Sequence, residues 1–131
     1  MTALAGGRTY DGFVPGRHPI DAYGAGGFRF ADMSHRGSIL ALPSGIKAWA
    51  PTAGRGLTVA DFAPVIEESG AIELLLVGTG SDVVPLPEQV RWRLRDAGIR
   101  HDVMQTGAAA RTYNILLAEN RQVAAALIAV A

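Results

Sequence analysis

The residues best suited to chemistry lie in two short stretches, Gly78-Thr79-Gly80-Ser81-Asp82 and Gln105-Thr106-Gly107-Ala108-Ala109-Ala110-Arg111, with Asn114 three residues further on. Thr106 reads as the N-cap of a helix. That puts Arg111 near the positive end of the helix dipole, where a guanidinium is misplaced unless a carboxylate or an anion offsets it. Unbonded backbone N–H groups from Gly107 to Ala109 would favour the same anion. Thr79, Gly80, Ser81, Thr106, Arg111 and Asn114 would then line one cleft suited to a phosphate or a carboxylate, with Arg111 and Asn114 on a shared helix face. The structural alternative ties Arg111 to Asp82, Glu73 or strand-end carbonyls and leaves Thr79 and Gly80 as turn residues, and ion pairs of that kind are the commoner arrangement.

Other chemistries find little support. The chain has no cysteine, which removes disulfides, thiolate nucleophiles and Cys-based metal sites. His18, His35 and His101 lack the spacing of a helical metal pair, so no metal or other cofactor is expected. No serine sits in a Gly-x-Ser-x-Gly elbow. Gly78-Thr79-Gly80 departs from the dinucleotide fingerprint, since Val83 takes the third glycine position and Pro85 and Pro87 delay the helix. The one lysine, Lys47, lies outside any phosphate-binding loop. Twelve basic and twelve acidic side chains cancel, leaving no field to recruit nucleic acid.

The elements that must position these residues follow from pattern. A chain of 131 residues suits one domain. Residues 1–19 are rich in Gly and Pro and read as a loop-rich arm, with residues 20–131 forming the domain. A short edge strand is expected around Ile20 to Tyr23. The alternation at Phe28-Arg29-Phe30 and the apolar run Gly37 to Pro43 predict antiparallel strands joined by a turn near Ser34 to Gly37, and Ile46 to Ala50 is a further strand. Thr58 and Asp61 form a capping box opening an amphipathic helix that ends near Gly70. Ile72 to Gly78 is almost wholly apolar, the mark of a strand covered on both faces. Pro87 at the first helical position, a helix to Gly98 and a strand from Ile99 to Gln105 complete a βαβ unit. A helix from Thr106 to about Ala118 follows, with Asn120 as a left-handed stop. Arg121 to Val130 is then expected as a strand returning antiparallel to the sheet. The longest apolar run, Val123 to Ala131, falls well short of the ~20 residues that span a bilayer, and with no secretory pattern at the start the expected location is cytoplasmic.

The run Met104, Thr106, Ala109, Arg111, Thr112, Tyr113, Asn114, Leu116, Glu119, Arg121, Val123, Ala125, Ala126 and Leu127 resembles the C-terminal signature of a small α/β domain family, the Mth938-like domains, which includes the mitochondrial respiratory complex I assembly factor 3. Ile20 to Tyr23, Gly27 to Phe30, Gly37 to Pro43, Trp49 and Leu75 to Gly80 support it. The resemblance implies a three-layer α/β domain with a central mixed five-stranded sheet, its last strand antiparallel, beside a smaller antiparallel β element. It implies no reaction. It points to a soluble, non-catalytic interaction protein with a protein partner, expected to act as an assembly factor for a respiratory or other membrane complex; the alternative is a binder or enzyme of a small anionic ligand at the cleft above. Ala110 stands where many relatives carry cysteine. An exposed sheet edge would also permit a homodimer.

Overall fold

In the computed structural model, residues 12–131 are described, preceded by the backbones of Thr2–Ala3 (β1) and Thr9–Tyr10 (β2), which pair antiparallel. The main sheet has six strands: β3 (Phe13–Pro15), β7 (Ser38–Leu42), β8 (Gly45–Trp49), β9 (Leu74–Gly78), β10 (Arg100–Met104) and β11 (Val123–Leu127). Their spatial order is β10, β9, β11, β7, β8, β3. The strand beyond the expected five is β3, which lies inside the segment read as an arm and forms an edge against β8. A second, three-stranded antiparallel sheet consists of β4 (Ala22–Gly24), β5 (Gly27–Phe30) and β6 (Met33–Arg36).

Side-chain parity divides the core into two layers. Leu40, Leu42, Leu75, Val77, Ala124 and Ala126 point to one face, and Ile39, Ala41, Leu76, Val123, Ala125 and Leu127 to the other. The first face is covered by a 3-10 turn (Val59–Phe62), helix α1 (Ala63–Glu67) and helix α2 (Glu88–Asp96), through Phe62, Val65, Val90 and Leu94. The second is covered by helix α3 (Thr106–Ala118) and the small sheet, through Ala109, Ala110, Tyr113, Phe28, Phe30 and Met33. This is the three-layer mixed α/β architecture expected.

The helices fall on opposite faces for a topological reason. The connection β9-α2-β10 steps outward by one strand, and β10-α3-β11 steps back past β9. Right-handed crossovers that move in opposite directions must place their helices on opposite sides. The same connection corrects the expected direction of the last strand. β11 is antiparallel to β7 but parallel to β9. A helix of 13 residues carries the chain back about 20 Å to the pole where β10 began, so the turn at Asn120 reverses the chain relative to α3, and β11 runs with β9 and β10.

Local chemistry moves several boundaries. The turn expected near Ser34 to Gly37 lies instead at Ala31-Asp32, both with positive φ (50° and 60°), and Ser34 to Arg36 belongs to β6. Phe28-Arg29-Phe30 therefore pairs with Met33 to Ser34 and His35, not with the Gly37 to Pro43 run. The capping box at Thr58 and Asp61 forms, but Pro64 has no N–H to continue the ladder, and the segment breaks into a 3-10 turn, α1 and a second 3-10 turn (Ser69–Ala71). Pro87 is the residue before α2 rather than its first.

Candidate functional site

The loops after β9 and β10 emerge at one pole, because Gly78 is the register partner of Met104. Gly78 brings them close. A side chain there would meet the Thr106 Cα at 2.8 Å and Leu127 Cδ2 at 3.0 Å, so only glycine lets the start of α3 seat on the sheet. The expected N-cap role of Thr106 does not hold: Gln105 is the capping residue and Thr106 is the first residue of α3. Its hydroxyl, fully buried, donates to Ile128 O at 2.7 Å and accepts from Gly80 N–H at 2.9 Å, while its own N–H donates to Gly80 O at 2.9 Å.

Thr79 is saturated in the same way. Its hydroxyl donates to Asp82 O at 2.6 Å and accepts from Val84 N–H at 3.0 Å, and its N–H donates to Met104 O at 2.9 Å. The backbone of Gly54 closes over its carbonyl. Thr79, Gly80 and Thr106 are thus buried where three strand ends meet, hydrogen-bonded to protein, and Ser81 is exposed beside them.

Arg111 faces elsewhere. Five residues along an α-helix rotate a side chain by about 140° from Thr106, whereas Gly107, Ala110, Arg111 and Asn114 share one face. Opposite this face runs the segment Ile20 to Tyr23, and the two enclose a cavity of about 530 Å³. Asn114 clamps one end: its Oδ1 accepts from Ile20 N–H and its Nδ2 donates to Ile20 O, both at 2.7 Å. At the other end the Tyr23 hydroxyl rests against the Cα of Gly107. Of the six residues expected to line one cleft, Arg111 and Asn114 come together here and the other four lie at the strand ends.

The exposed Arg111 guanidinium has no carboxylate within 4.0 Å among the described residues. Asp82 and Glu73, its anticipated partners, do not reach it, and Glu73 instead pairs with Arg100 at 3.5 Å and Arg121 at 3.7 Å. Asp21 lines the same cavity without closing an ion pair. Of the N–H groups expected to face an anion, that of Ala109 is committed to Gln105 O at 2.9 Å. Behind the cavity Tyr113 is buried, which pushes its phenol up to about 12.

A second cavity, of about 650 Å³, lies on the small sheet and went unread in the sequence. Ala22, Gly24 and Gly27 line it, with Arg29 and Arg36 beside them, and it shares Ala22 and Tyr23 with the first. The signal available was the alternation at Phe28-Arg29-Phe30, which turns Arg29 outward. Burial lowers the pKa of nearby His35, opposed by its hydrogen bond to Ser38 O at 3.2 Å.

A family model described as "Protein of unknown function (DUF498/DUF598)" matches residues 20–128, the whole span that builds both cavities. The chain belongs to this family. Within it, a Bartonella henselae protein described as an outer membrane protein has a crystal structure that superposes with a TM-score of 0.87 at 57% identity, covering 89% of this chain and 98% of that one. A Bordetella pertussis protein described as a Mth938-like domain superposes with a TM-score of 0.73 at 32% identity, covering 86% and 85%. The mouse NADH dehydrogenase [ubiquinone] 1 alpha subcomplex assembly factor 3 is 32% identical over 109 residues, which are 83% of this chain and 59% of that protein. The chain therefore spans less than two thirds of that relative's length. No helix among the described residues is long and apolar enough to cross a membrane.

Proposed function

We propose that this chain is an interaction protein that assists the assembly of a respiratory or other membrane complex. The observation that carries this reading is the kinship with the mouse assembly factor, which runs over 109 residues and so takes in the folded domain rather than an isolated motif. The test is removal of the gene from its own organism, followed by native-gel separation of the membrane complexes with in-gel NADH dehydrogenase staining and subunit immunodetection. Loss of a mature complex with accumulation of its subassemblies, reversed by the wild-type gene, supports the proposal. An unchanged complement of membrane complexes overturns it.

A second reading is favoured by the guanidinium of Arg111, which has no acidic partner within 4.0 Å among the described residues and sits in a concave site with Asn114. On this reading the cleft holds a small phosphate or carboxylate ligand. Thermal denaturation with phosphate, nucleotides and small carboxylates tests it, since a ligand that binds only the folded state raises the melting temperature with concentration. A rise lost in Arg111→Ala supports the second reading, and no ligand-dependent rise removes it.

A further inference from the structure

The exposed arginines among the described residues differ in whether a carboxylate reaches them. Arg93, Arg100 and Arg121 are neutralised by Asp96 or Glu73 at 3.5 to 3.7 Å. Seven others, Arg29, Arg36 and Arg111 among them, have no carboxylate within 4.0 Å among the described residues. Arg29 and Arg36 line the larger of the two neighbouring cavities and Arg111 the smaller. In a chain of zero formal charge, this sets three guanidinium groups with no acidic partner beside two adjoining cavities.

The shape of that face is specific. Ala22 and Tyr23 are common to both cavities, and Tyr23, 47% exposed, forms the wall between them. Ala22 and Gly24 present almost no side chain, and nothing lies within 4 Å of where a Gly24 side chain would start, so an incoming backbone can approach closely. The Arg29 guanidinium is steadied by Ser34 Oγ at 3.1 Å. The rim is the turn at Ala25-Gly26, with φ of 52° and 82°, and the Arg36 Nη1 lies 4.0 Å from where a Gly26 side chain would start. Asp21 is the acidic residue among the lining groups, in the smaller cavity.

The geometry points to a docking site for an acidic, extended segment of a partner polypeptide, lying across Tyr23 with its carboxylates on Arg111 at one side and on Arg29 and Arg36 at the other. This rests on the assembly reading and names the chemistry of the partner. Guanidinium groups take carboxylates by paired, charge-assisted hydrogen bonds. Two cavities of about 530 and 650 Å³ sharing one wall exceed what a single small anion fills, and the central exposed tyrosine is a residue type that protein interfaces favour.

The test is a titration of the full chain, labelled with nitrogen-15, with a synthetic peptide of alternating glutamate and glycine. The expected result is saturable shifts confined to residues 22–36 and 107–114, no response to the same peptide with glutamine for glutamate, and weakening as salt rises from about 50 to 500 mM. Replacing Arg29, Arg36 and Arg111 together by Glu is expected to weaken binding at least about tenfold. Arg91→Glu, Arg93→Glu and Arg95→Glu on α2, an equal change of net charge, are expected to leave it intact. Matching melting temperatures and spectral dispersion verify folding, and single Arg→Gln variants serve where the triple variant fails to fold.

Absence of saturable shifts, or equal loss in the α2 variant, overturns the proposal. So does binding of phosphatidylglycerol-containing vesicles, or of inorganic phosphate alone, through these arginines without binding of the peptide. The two readings fail separately. If gene removal impairs assembly and the Arg29, Arg36 and Arg111 variant restores it fully, the docking site is wrong and the assembly role stands; if the peptide binds as described and gene removal changes nothing, the reverse holds.

Discussion

Replacing Thr106 by valine keeps the volume and removes one oxygen, so it isolates the hydroxyl that joins the ends of β9 and β11 to the start of α3. In the native protein that oxygen donates to Ile128 O and accepts from Gly80 N–H, at a position with no solvent exposure. Valine strands both backbone groups away from water. An unsatisfied buried group costs about 1–3 kcal/mol, so two together cost about 2–5 kcal/mol after partial relaxation. For a 131-residue chain, each kcal/mol lowers the melting temperature by about 3–4 °C, and the expected fall is about 6–20 °C. Thr106→Ser retains the hydroxyl and loses a methyl worth about 1 kcal/mol, so it is expected to melt within about 4 °C of the parent. The assay is equilibrium urea denaturation paired with thermal melting by circular dichroism. A valine variant within about 0.5 kcal/mol of wild type, or a serine variant less stable than valine, would refute the assignment of Thr106 as a structural junction.

Other substitutions separate structural from accessible groups. Arg111→Ala should change stability by less than about 0.5 kcal/mol, because the guanidinium has no acidic partner to lose among the described residues. Asn114→Ala should cost about 1–3 kcal/mol by releasing both hydrogen bonds to Ile20; equal effects at the two positions in urea denaturation would contradict their assigned roles. Ala31→Gly should leave the fold unchanged and raise stability by up to about 1 kcal/mol, since Ala31 holds a φ of 50° that costs an L-residue energy glycine does not incur; a destabilised variant would refute this. Burial lowers the folded-state pKa of His35, and desolvation, with Arg91 next in weight, lowers that of His101. The unfolded chain therefore binds more protons, and the stability contributed by the neutral imidazoles is complete above about pH 6.5 and falls on acidification through 6.5 toward the lower folded values. Urea midpoints at pH 7.5 and 5 should show this loss, with a shallower slope in His35→Gln; an unchanged slope in that variant would exclude His35 as a source.

Much of the scaffold was legible because it is encoded locally. The apolar run from Ile72 to Gly78 marked a strand covered on both faces, and the span from Thr106 to about Ala118 marked α3. The direction of β11 was not legible from the Asn120 turn alone, because it depends on where a helix of that length delivers the chain relative to β10. The candidate site was legible in part. Arg111 and Asn114 were found from helical spacing, yet grouping them with Thr79, Gly80, Ser81 and Thr106 assumed that neighbours at one pole face one cleft. The turn of the helix sends Thr106 to the strand ends and Arg111 to the opposite flank.

By itself the chain determined its periodic elements, its lack of thiol chemistry and the position of a cation near the start of a helix, since each depends on residue type and short spacing. Tertiary structure decided what that cation faces. Ile20 meets Asn114 across 94 positions, and Tyr23 rests on Gly107; no local period links such pairs. They are brought together by burial of two sheets and a helix around one core, and by the need of the Ile20 backbone groups, partly shielded from water, for a donor and an acceptor that the Asn114 amide supplies.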